Sequence, residues 1–247
     1  MRPVLLVDVD GPLNPYAAKP HRRPEGYETH RLLTPRWEAA ERRRLTLWGP
    51  PNKPVKPLRV WLNPLHGPAL EALPFDLVWA TTWEEEANAF IAPVLGLPEL
   101  PFVAWSSPRA EPGDGVFWKT PDIVAWAKGR AFAWIDDEIT AADRAWVEEH
   151  HDGPALLHRV DPRRGLAVED FAALTAWATG LDRLQSSVTH WAPPKIPTSA
   201  PAHAPPPPTR QGTQASTPAP DSAVHRRRSP HPRSPPAPPP PWPDSAR

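Results

Sequence analysis

Short apolar runs alternate with helix-like stretches over residues 1–185, and this alternation predicts most of the fold. Near-continuous apolar runs of about four to seven residues are typical of strands buried on both faces of a sheet. Such runs occupy residues 3–9, 76–81, 132–135 and 155–160, with a further candidate at 101–105. Helical patterns fall between or after them, at residues 68–73, 84–95, 121–128, 140–150 and 168–181.

Strands that alternate with helices of this length indicate an α/β domain, a Rossmann-like parallel sheet with helices on both faces. The carboxyl ends of its strands are then the expected place for an active site. One helix start has a local signature, because Thr120 is a candidate N-cap and Pro121 stands at the first helical position.

Residues 15–60 interrupt the alternation. This segment is rich in proline and arginine, and residues 27–33 and 59–62 are candidate strands of a hairpin. Because it follows the first strand, it is predicted to lie over the carboxyl ends of the sheet as a small cap or flap insertion. The neighbouring His66 lies in a turn-like NPLHGP stretch and is interpreted as a surface residue, with contact to substrate as the alternative.

Proline makes up 40 of the 247 residues, several times its usual share of about 5%. It is concentrated in residues 192–247, which have almost no aliphatic side chains and are predicted to form a disordered, proline-rich tail. The tail holds seven Lys and Arg against two Asp, a net charge of +5, so the remainder carries −5. The tail is interpreted either as a solvated segment or as a docking segment for a protein partner.

The absence of cysteine excludes a disulfide framework, a zinc–thiolate site and a cysteine nucleophile. The first apolar run meets Asp8 after about half a dozen residues, which is too short for a signal peptide. No stretch approaches the roughly 20 apolar residues of a membrane span. A soluble, cytoplasmic protein with no membrane partner is therefore expected.

Polar groups that carry chemistry follow the first two predicted strands. Asp8 and Asp10 stand in the sequence DVDG directly after the first strand, and Gly11 permits a sharp turn there. Two carboxylates at this spacing can share a hard cation such as Mg²⁺. Thr81 and Thr82 end the second strand, where their hydroxyl and backbone N–H groups can hold phosphate oxygens.

Further candidate groups adjoin a helix start and the third strand. Lys119 lies just ahead of a helix, and a cation beside a helix N-terminus favours an anion. Asp136 and Asp137 follow the third strand in WIDDE, and adjacent acids after a buried run are costly unless they are paired or bind metal. Trp83 and Trp118 adjoin two of these groups and are candidates for stacking on a base or ring.

The order of these groups resembles the four motifs of the haloacid dehalogenase-like (HAD) phosphohydrolase superfamily. The matching residues are Asp8 with Asp10, Thr81, Lys119, and Asp136 with Asp137. The resemblance covers residues 1–185, with one departure at Pro12, where the family more often has Thr or Val. The stretches DVDGPLNP, LVWATTWEEEAN and WIDDE are most similar to an actinobacterial branch related to the HAD domains of Swiss-Army-knife RNA-repair proteins.

The resemblance implies a role for each of these residues. Asp8 would be the nucleophile that forms an aspartyl-phosphate, and Asp10 would be the general acid and base. Thr81 (or Thr82, since the motif is ambiguous by one residue) and Lys119 would bind the phosphoryl oxygens. The implied cofactor is Mg²⁺, and the residues implied to hold it are Asp8, Asp10 through its backbone carbonyl, Asp136 and Asp137.

Three functions remain open from the sequence. The first is a Mg²⁺-dependent phosphomonoesterase that acts on a small phosphorylated substrate. The second is a nucleic-acid end-processing phosphatase acting in RNA or DNA repair, which the branch resemblance and the basic tail favour and the acidic folded part disfavours. The third is a non-catalytic scaffold that positions the proline-rich tail. The presence of every motif acid argues against the third.

Overall fold

The computed structural model describes residues 2–50, 52–106 and 115–189. In chain order its elements are β1 (Val4–Val7), β2 (Glu28–Leu32), α1 (Pro35–Trp48), β3 (Leu58–Leu62), α2 (His66–Glu71), β4 (Asp76–Trp79), a π-helical turn (Ala87–Ile91) continuing into α3 (Ala92–Leu95), α4 (Thr120–Ala127), β5 (Phe132–Asp136), α5 (Ala141–His150), β6 (Ala155–Arg159) and α6 (Val168–Thr189). The predicted disordered tail, residues 192–247, lies outside the described residues.

Four strands form one parallel sheet in the order β4-β1-β5-β6. β1 pairs with a neighbour on each side, so that Val7 lies opposite Trp79 of β4 and Ile135 of β5. The predicted α/β fold with a parallel sheet is confirmed, and each of its four main strands ends within about two residues of its predicted end. β1 is apolar throughout because it has a strand on each side and a packed layer on each face.

Helices cover both faces of the sheet, as predicted. Successive side chains of a strand point to opposite faces, which divides β1 between two apolar clusters. One cluster joins the sheet to α2, α3 and α6, with members Leu5, Val7, Leu70, Leu95 and Leu174. The other joins it to α4 and α5, with members Val4, Leu6, Ile123 and Val147. The two layers fix the parallel strands so that their carboxyl ends meet at one edge.

Between β1 and α2 the chain forms a separate antiparallel pair, β2 and β3, with α1 in the connection. The two strands are at the positions predicted for a hairpin, and we keep that name for the antiparallel pair although a helix lies between them. α1 is not among the predicted elements. Its start is capped by Thr34, whose Oγ1 accepts a hydrogen bond from the Trp37 N–H at 3.2 Å. The prediction missed α1 because Leu45 is its one buried residue, so the helix lacks an apolar stripe.

The start of α4 differs from its prediction. Lys119 occupies the N-cap position, and Thr120 is already helical and makes no side-chain cap. The Thr120 hydroxyl instead donates a hydrogen bond to Asp143 of α5 at 2.6 Å. The prediction of Thr120 as N-cap is wrong because a carboxylate from another element takes the hydroxyl, and bonds to charged acceptors are the stronger ones.

Three further predictions need correction. The candidate strand at 101–105 is reduced to a single bridge between Phe102 and Trp79. α6 continues to Thr189, past the predicted helix end at 181. His66 is 5% exposed rather than at the surface, because the insertion covers it and Tyr27 packs edge-on against its ring. None of the helices in the described ranges combines the length and the apolar composition that a membrane span requires.

Candidate active site

Strand register brings Asp8 and Asp136 side by side at the carboxyl edge of the sheet. Val7 and Ile135 lie opposite each other, and the Asp8 N–H donates to the Ile135 carbonyl at 3.1 Å. Asp136 is the last residue of β5 and is fully buried, and Asp8 is nearly so. Two buried carboxylates in this position repel each other unless a cation lies between them.

Lys119 supplies that cation. Its Nζ lies 2.9 Å from Asp8 Oδ2 and 2.8 Å from Asp136 Oδ2, and the side chain is 3% exposed. Burial works to lower the pKa of Lys119, but attraction to Asp136 and Asp8 outweighs it and raises that pKa. The structure therefore brings together three of the predicted site residues around one charged ammonium group.

The Asp8 carboxyl is held at both oxygens. Oδ1 accepts a hydrogen bond from the Val9 N–H at 2.8 Å, and Oδ2 faces Lys119. Burial raises the pKa of Asp8 well above its usual value, with Lys119 opposing the shift and Asp136 adding to it. The side chain is thus desolvated and fixed in direction, which are properties that suit a nucleophile.

Asp10 points to a different set of partners. Its Oδ1 accepts a hydrogen bond from Asn14 Nδ2 at 2.8 Å, and its Oδ2 accepts one from Trp83 Nε1 at 2.9 Å. Burial raises the pKa of Asp10, and these two hydrogen bonds oppose the rise. Trp83 is itself buried, so its indole serves Asp10 and is not free to stack on a ligand ring.

The carboxylates of Asp8, Asp136 and Asp137 form a cluster that fits a divalent cation. One oxygen from each lies within 4.8 Å of the others, and all three residues are buried. Carboxylate oxygens are the ligands that Mg²⁺ prefers. When ionised, three buried acids beside a single lysine carry excess negative charge, which a bound cation would offset. The Asp10 side chain is turned to Asn14 and Trp83, so a role for its backbone carbonyl stays a prediction.

Asp137 is the third member of this cluster and is buried like the other two. Burial, with repulsion from Asp136, raises its pKa to about 7, while the Tyr16 hydroxyl donates to its Oδ2 at 2.9 Å and opposes the rise. Gly11 packs directly against this carboxyl. Its φ is +94°, and a Cβ there would lie 2.4 Å from Asp137 Oδ1, so a side chain would both strain the turn and displace the acid.

Asp143 anchors the segment that carries Lys119. This carboxylate is fully buried at the start of α5 and has four donors around it. Oδ1 accepts from the Phe117 N–H at 2.7 Å and the Thr120 hydroxyl at 2.6 Å. Oδ2 accepts from the N–H and the hydroxyl of Thr140, both at 2.7 Å. Because these bonds hold the chain on both sides of Lys119, Asp143 fixes the position of the Lys119 backbone.

Thr81 and Thr82 follow β4 beside this cluster. The Ala80 N–H donates to the Val7 carbonyl at 2.8 Å, which keeps the strand end next to Asp8. Thr81 is buried, and its hydroxyl oxygen accepts a weak hydrogen bond from the Trp83 N–H at 3.4 Å. Thr82 is half-buried. These contacts do not distinguish the two threonines as phosphate ligands, and both stay predictions.

Three aromatic rings surround Lys119. Its Nζ lies 5.4 Å from the ring centroid of Phe117, 5.9 Å from that of Trp105 and 6.0 Å from that of Trp118. Trp105 and Trp118 pack edge-on with centroids 5.1 Å apart. The rings limit access of water to the ammonium group, which strengthens its attraction to the acids. Trp118 is half-buried, and its stacking on a ligand stays a prediction.

The insertion is attached to the site from two sides. Asn14, which donates to Asp10, also accepts a hydrogen bond at Oδ1 from the Trp61 N–H of β3 at 3.0 Å. Arg36 of α1 donates through Nη1 to the Thr82 carbonyl at 2.8 Å and forms an ion pair with Glu84. The hairpin and α1 are therefore positioned by residues of the site itself.

Asn14, Tyr16 and Asp143 are partner residues of the site that were not predicted from the sequence. Asn14 and Tyr16 follow Asp10 by four and six residues, and their polar groups in the otherwise apolar stretch PLNPYAA are a signal that could have marked them. Asp143 forms a capping box with Thr140, which is visible in the sequence. Its contact with the Lys119 segment is tertiary and has no local signal.

Comparisons with protein-family models, with curated proteins and with solved structures find no match to this chain.

Proposed function

We propose that this protein is a Mg²⁺-dependent phosphomonoesterase that works through an aspartyl-phosphate on Asp8. The observation that carries the proposal is the position of Lys119, buried between Asp8 and Asp136 and within ion-pair distance of both. A buried lysine–diacid group at the carboxyl edge of a parallel sheet is a costly arrangement to keep for stability alone. It suits a site that attracts a phosphoryl group and stabilises the charge of its transition state.

The metal would be held by Asp8, Asp136 and Asp137, whose carboxylate oxygens fit a hard divalent cation. When bound, Mg²⁺ would neutralise charge on the transferring phosphoryl group. The remaining chemistry belongs to the side chains of the chain.

In the first step an Asp8 carboxylate oxygen bonds to phosphorus while the bond from phosphorus to the ester oxygen breaks. Asp10 gives its proton to that leaving oxygen, and its raised pKa favours the protonated form that this step needs. In the second step Asp10 takes a proton from water. The water oxygen then bonds to phosphorus as the bond to Asp8 breaks, releasing inorganic phosphate and restoring both carboxyl groups.

The order of the four motifs supports assignment to the HAD-type phosphohydrolases, with the insertion acting as the cap. Asn14 and Trp83 fit this assignment because they hold Asp10 beside Asp8 while leaving Asp8 to its own partners. A nucleic-acid end-processing phosphatase would use the same site, and would differ in the contacts made to the rest of the substrate. A purely structural scaffold has no use for a desolvated nucleophile and a proton donor side by side.

The test is Mg²⁺-dependent phosphate release from a varied panel of phosphoesters, with wild type beside Asp8→Asn. This substitution keeps the shape of the side chain and removes the attacking oxygen's charge. We expect turnover that is abolished by a chelator, restored by Mg²⁺ and reduced at least about 10³-fold in Asp8→Asn. Asp122→Asn, at a half-buried carboxylate that accepts hydrogen bonds from Ser106, is the matched control and should retain full activity.

Turnover that survives Asp8→Asn would refute Asp8 as nucleophile. Turnover that is unaffected by the chelator would refute the metal requirement. If wild type releases no phosphate from any ester, including 3′- and 5′-phosphorylated oligonucleotides, the hydrolase proposal fails and the scaffold function is favoured.

A further inference from the structure

The hairpin of the insertion packs one face against the core and turns the other toward an open groove. Val60 and Leu62 of β3 point inward and are completely buried in the cluster that also contains β1. The alternate residues point outward and line an open groove of about 490 Å³. We name this the arginine groove, after its lining residues His21, Arg23, Thr29, Arg31, Arg59 and Trp61.

The groove places like charges opposite each other. In the antiparallel register Arg31 of β2 is the direct partner of Arg59 of β3. Like charges at directly opposite positions of a β-pair are destabilising. Within residues 2–50, 52–106 and 115–189, neither arginine forms an ion pair with a carboxylate. An anion bound between them would remove the repulsion.

One of the two guanidinium groups is already held in position. Arg59 Cζ lies 4.4 Å from the centroid of the Trp61 ring, an arrangement that stacks the guanidinium on the indole. Trp61 is buried and is fixed by a 3.0 Å hydrogen bond from its Nε1 to Thr29 Oγ1, which also accepts from Arg23 at 3.1 Å. A pre-oriented guanidinium loses less entropy when it binds a phosphate, so the groove is prepared for such a ligand.

The groove is also close to the site along a short chain of hydrogen bonds. The Trp61 N–H donates to Asn14, and Asn14 donates to Asp10. Two hydrogen bonds therefore join the hairpin that carries the groove to Asp10 at the carboxyl edge of the sheet. The charges of the two regions differ in sign. Residues 15–60 hold eleven Lys and Arg against four Glu, a net +7, whereas residues 1–14 and 61–191 together carry ten Lys and Arg against 22 Asp and Glu, a net −12.

From these observations we infer that the arginine groove binds a second phosphate group of the substrate, one that does not react, while another phosphate of the same molecule reacts at Asp8. The inference rests on the proposed phosphomonoesterase function and adds the substrate class: a molecule with at least two phosphate groups. The second group is either a phosphodiester of an oligonucleotide or a second phosphomonoester of a small bisphosphate. The net negative charge outside the insertion then does not exclude a polyanionic substrate, because the substrate approaches over the basic surface of the insertion.

The experiment compares wild type with Arg31→Gln/Arg59→Gln, using three substrates: para-nitrophenyl phosphate, a sugar bisphosphate and a 5′-phosphorylated ten-residue oligonucleotide. Both arginines lie on the outward face of the hairpin, so the substituted protein should remain folded. The matched control is Arg43→Gln/Lys53→Gln, which removes two exposed charges from the insertion outside the groove.

For the sugar bisphosphate and the oligonucleotide, we expect the groove variant to lose about tenfold in kcat/KM at about 0.15 M salt. The reason is that two arginine cations no longer contact the second phosphate. The loss should lie in KM, and the activity on para-nitrophenyl phosphate should be unchanged. For the oligonucleotide, the slope of log kcat/KM against log salt should become shallower by about 1.4. An effect confined to the oligonucleotide identifies the phosphodiester, and one confined to the bisphosphate identifies the small molecule.

A binding measurement separates failure of this inference from failure of the hydrolase proposal. Fluorescence anisotropy of a labelled oligonucleotide, and calorimetry with the sugar bisphosphate, are run on Asp8→Asn with and without the groove substitutions. Phosphate release from the small ester with no groove effect on either larger substrate would overturn the inference alone. Groove-dependent binding without turnover by wild type would support the groove and overturn the hydrolase. Equal losses in the groove variant and the control would also overturn the inference.

Discussion

Side chains of like charge lie close together both at the carboxyl edge of the sheet and in the arginine groove. The two regions differ in how that charge is compensated. At the sheet edge Asp8 and Asp136 are buried and share Lys119. In the groove Arg31 and Arg59 face each other across the hairpin, and neither forms an ion pair with a carboxylate in the described part of the chain. The first region is compensated from within the protein, and the second is left to solvent or to a ligand.

The difference follows from burial. An uncompensated charge in a low-dielectric interior costs several kcal/mol, so a buried acid must have its own cation or donors. At an exposed position water screens the charge, so two arginines can be kept opposite each other for a cost below about 1 kcal/mol. Removing a cation should therefore have opposite consequences in the two regions.

The largest effect is expected at Lys119. Lys119→Met leaves two buried carboxylates without their cation, and we expect a loss of about 3–5 kcal/mol in the free energy of unfolding, measured with urea. The exposed Lys53→Met is the matched control and should change stability by less than about 0.5 kcal/mol. A Lys119 variant as stable as the control would mean that the acids are already neutral, and the comparison would fail.

His66 tests burial without a charged partner. It packs between Tyr27 and Phe171, its Nδ1 has no hydrogen-bond partner in the described structure, and burial lowers its pKa to about 4. The pKa of His66 in the folded protein is below the usual 6.5. The stability that follows from its neutral ring is therefore complete above pH 6.5 and is lost as pH falls towards 4. That loss amounts to about 3 kcal/mol. His66→Gln should remove this slope from unfolding measured between pH 4 and 7.

The exposed His150→Gln should leave the slope of stability against pH as it is in wild type. If the His66 and His150 variants give the same slope, His66 is not buried as a neutral ring, and some other group is responsible for the pH dependence.

A smaller loss is expected at Asp143. Asp143→Asn replaces one accepting oxygen by an amide that cannot accept from its donors, so two of four hydrogen bonds are lost. We expect about 2 kcal/mol less stability and a fall in kcat, because Lys119 is no longer held. Asp122→Asn, which breaks comparable bonds at the surface, should cost less than about 1 kcal/mol. Loss of stability with kcat unchanged would mean that Asp143 does not position Lys119 for catalysis.

The smallest effect, and the one of opposite sign, is expected in the groove. Arg31→Gln removes one of two facing charges and should stabilise the protein by about 0.2–1 kcal/mol at low salt. The gain should vanish at about 1 M salt, where the Debye length falls to about 3 Å. Arg43→Gln, at an arginine away from the groove, should give no such gain. Destabilisation by Arg31→Gln in thermal unfolding would mean that the arginine has a structural partner.

The sequence by itself determined the elements of the sheet and the chain positions of the acids. Buried parallel strands are written as continuous apolar runs, and such a run is a local property. For the same reason Asp8, Asp136 and Asp137 could be placed at strand ends, and parallel strands bring those ends to one edge. α1 was not predicted because most of its residues are exposed. It therefore lacks the apolar stripe by which an amphipathic helix is recognised in a sequence.

Only the tertiary structure decided which partners the acids have. Trp83 reaches Asp10 across 73 residues of sequence, and Tyr16 reaches Asp137 across 121. The facing of Arg31 and Arg59 likewise depends on the register of the two strands, and a shift of one strand by one residue would turn its arginine to the opposite face. The hydropathy of a position is a property of its own residue. A hydrogen bond, or a pair of facing like charges, instead depends on atoms that the packing of distant elements brings within a few ångströms.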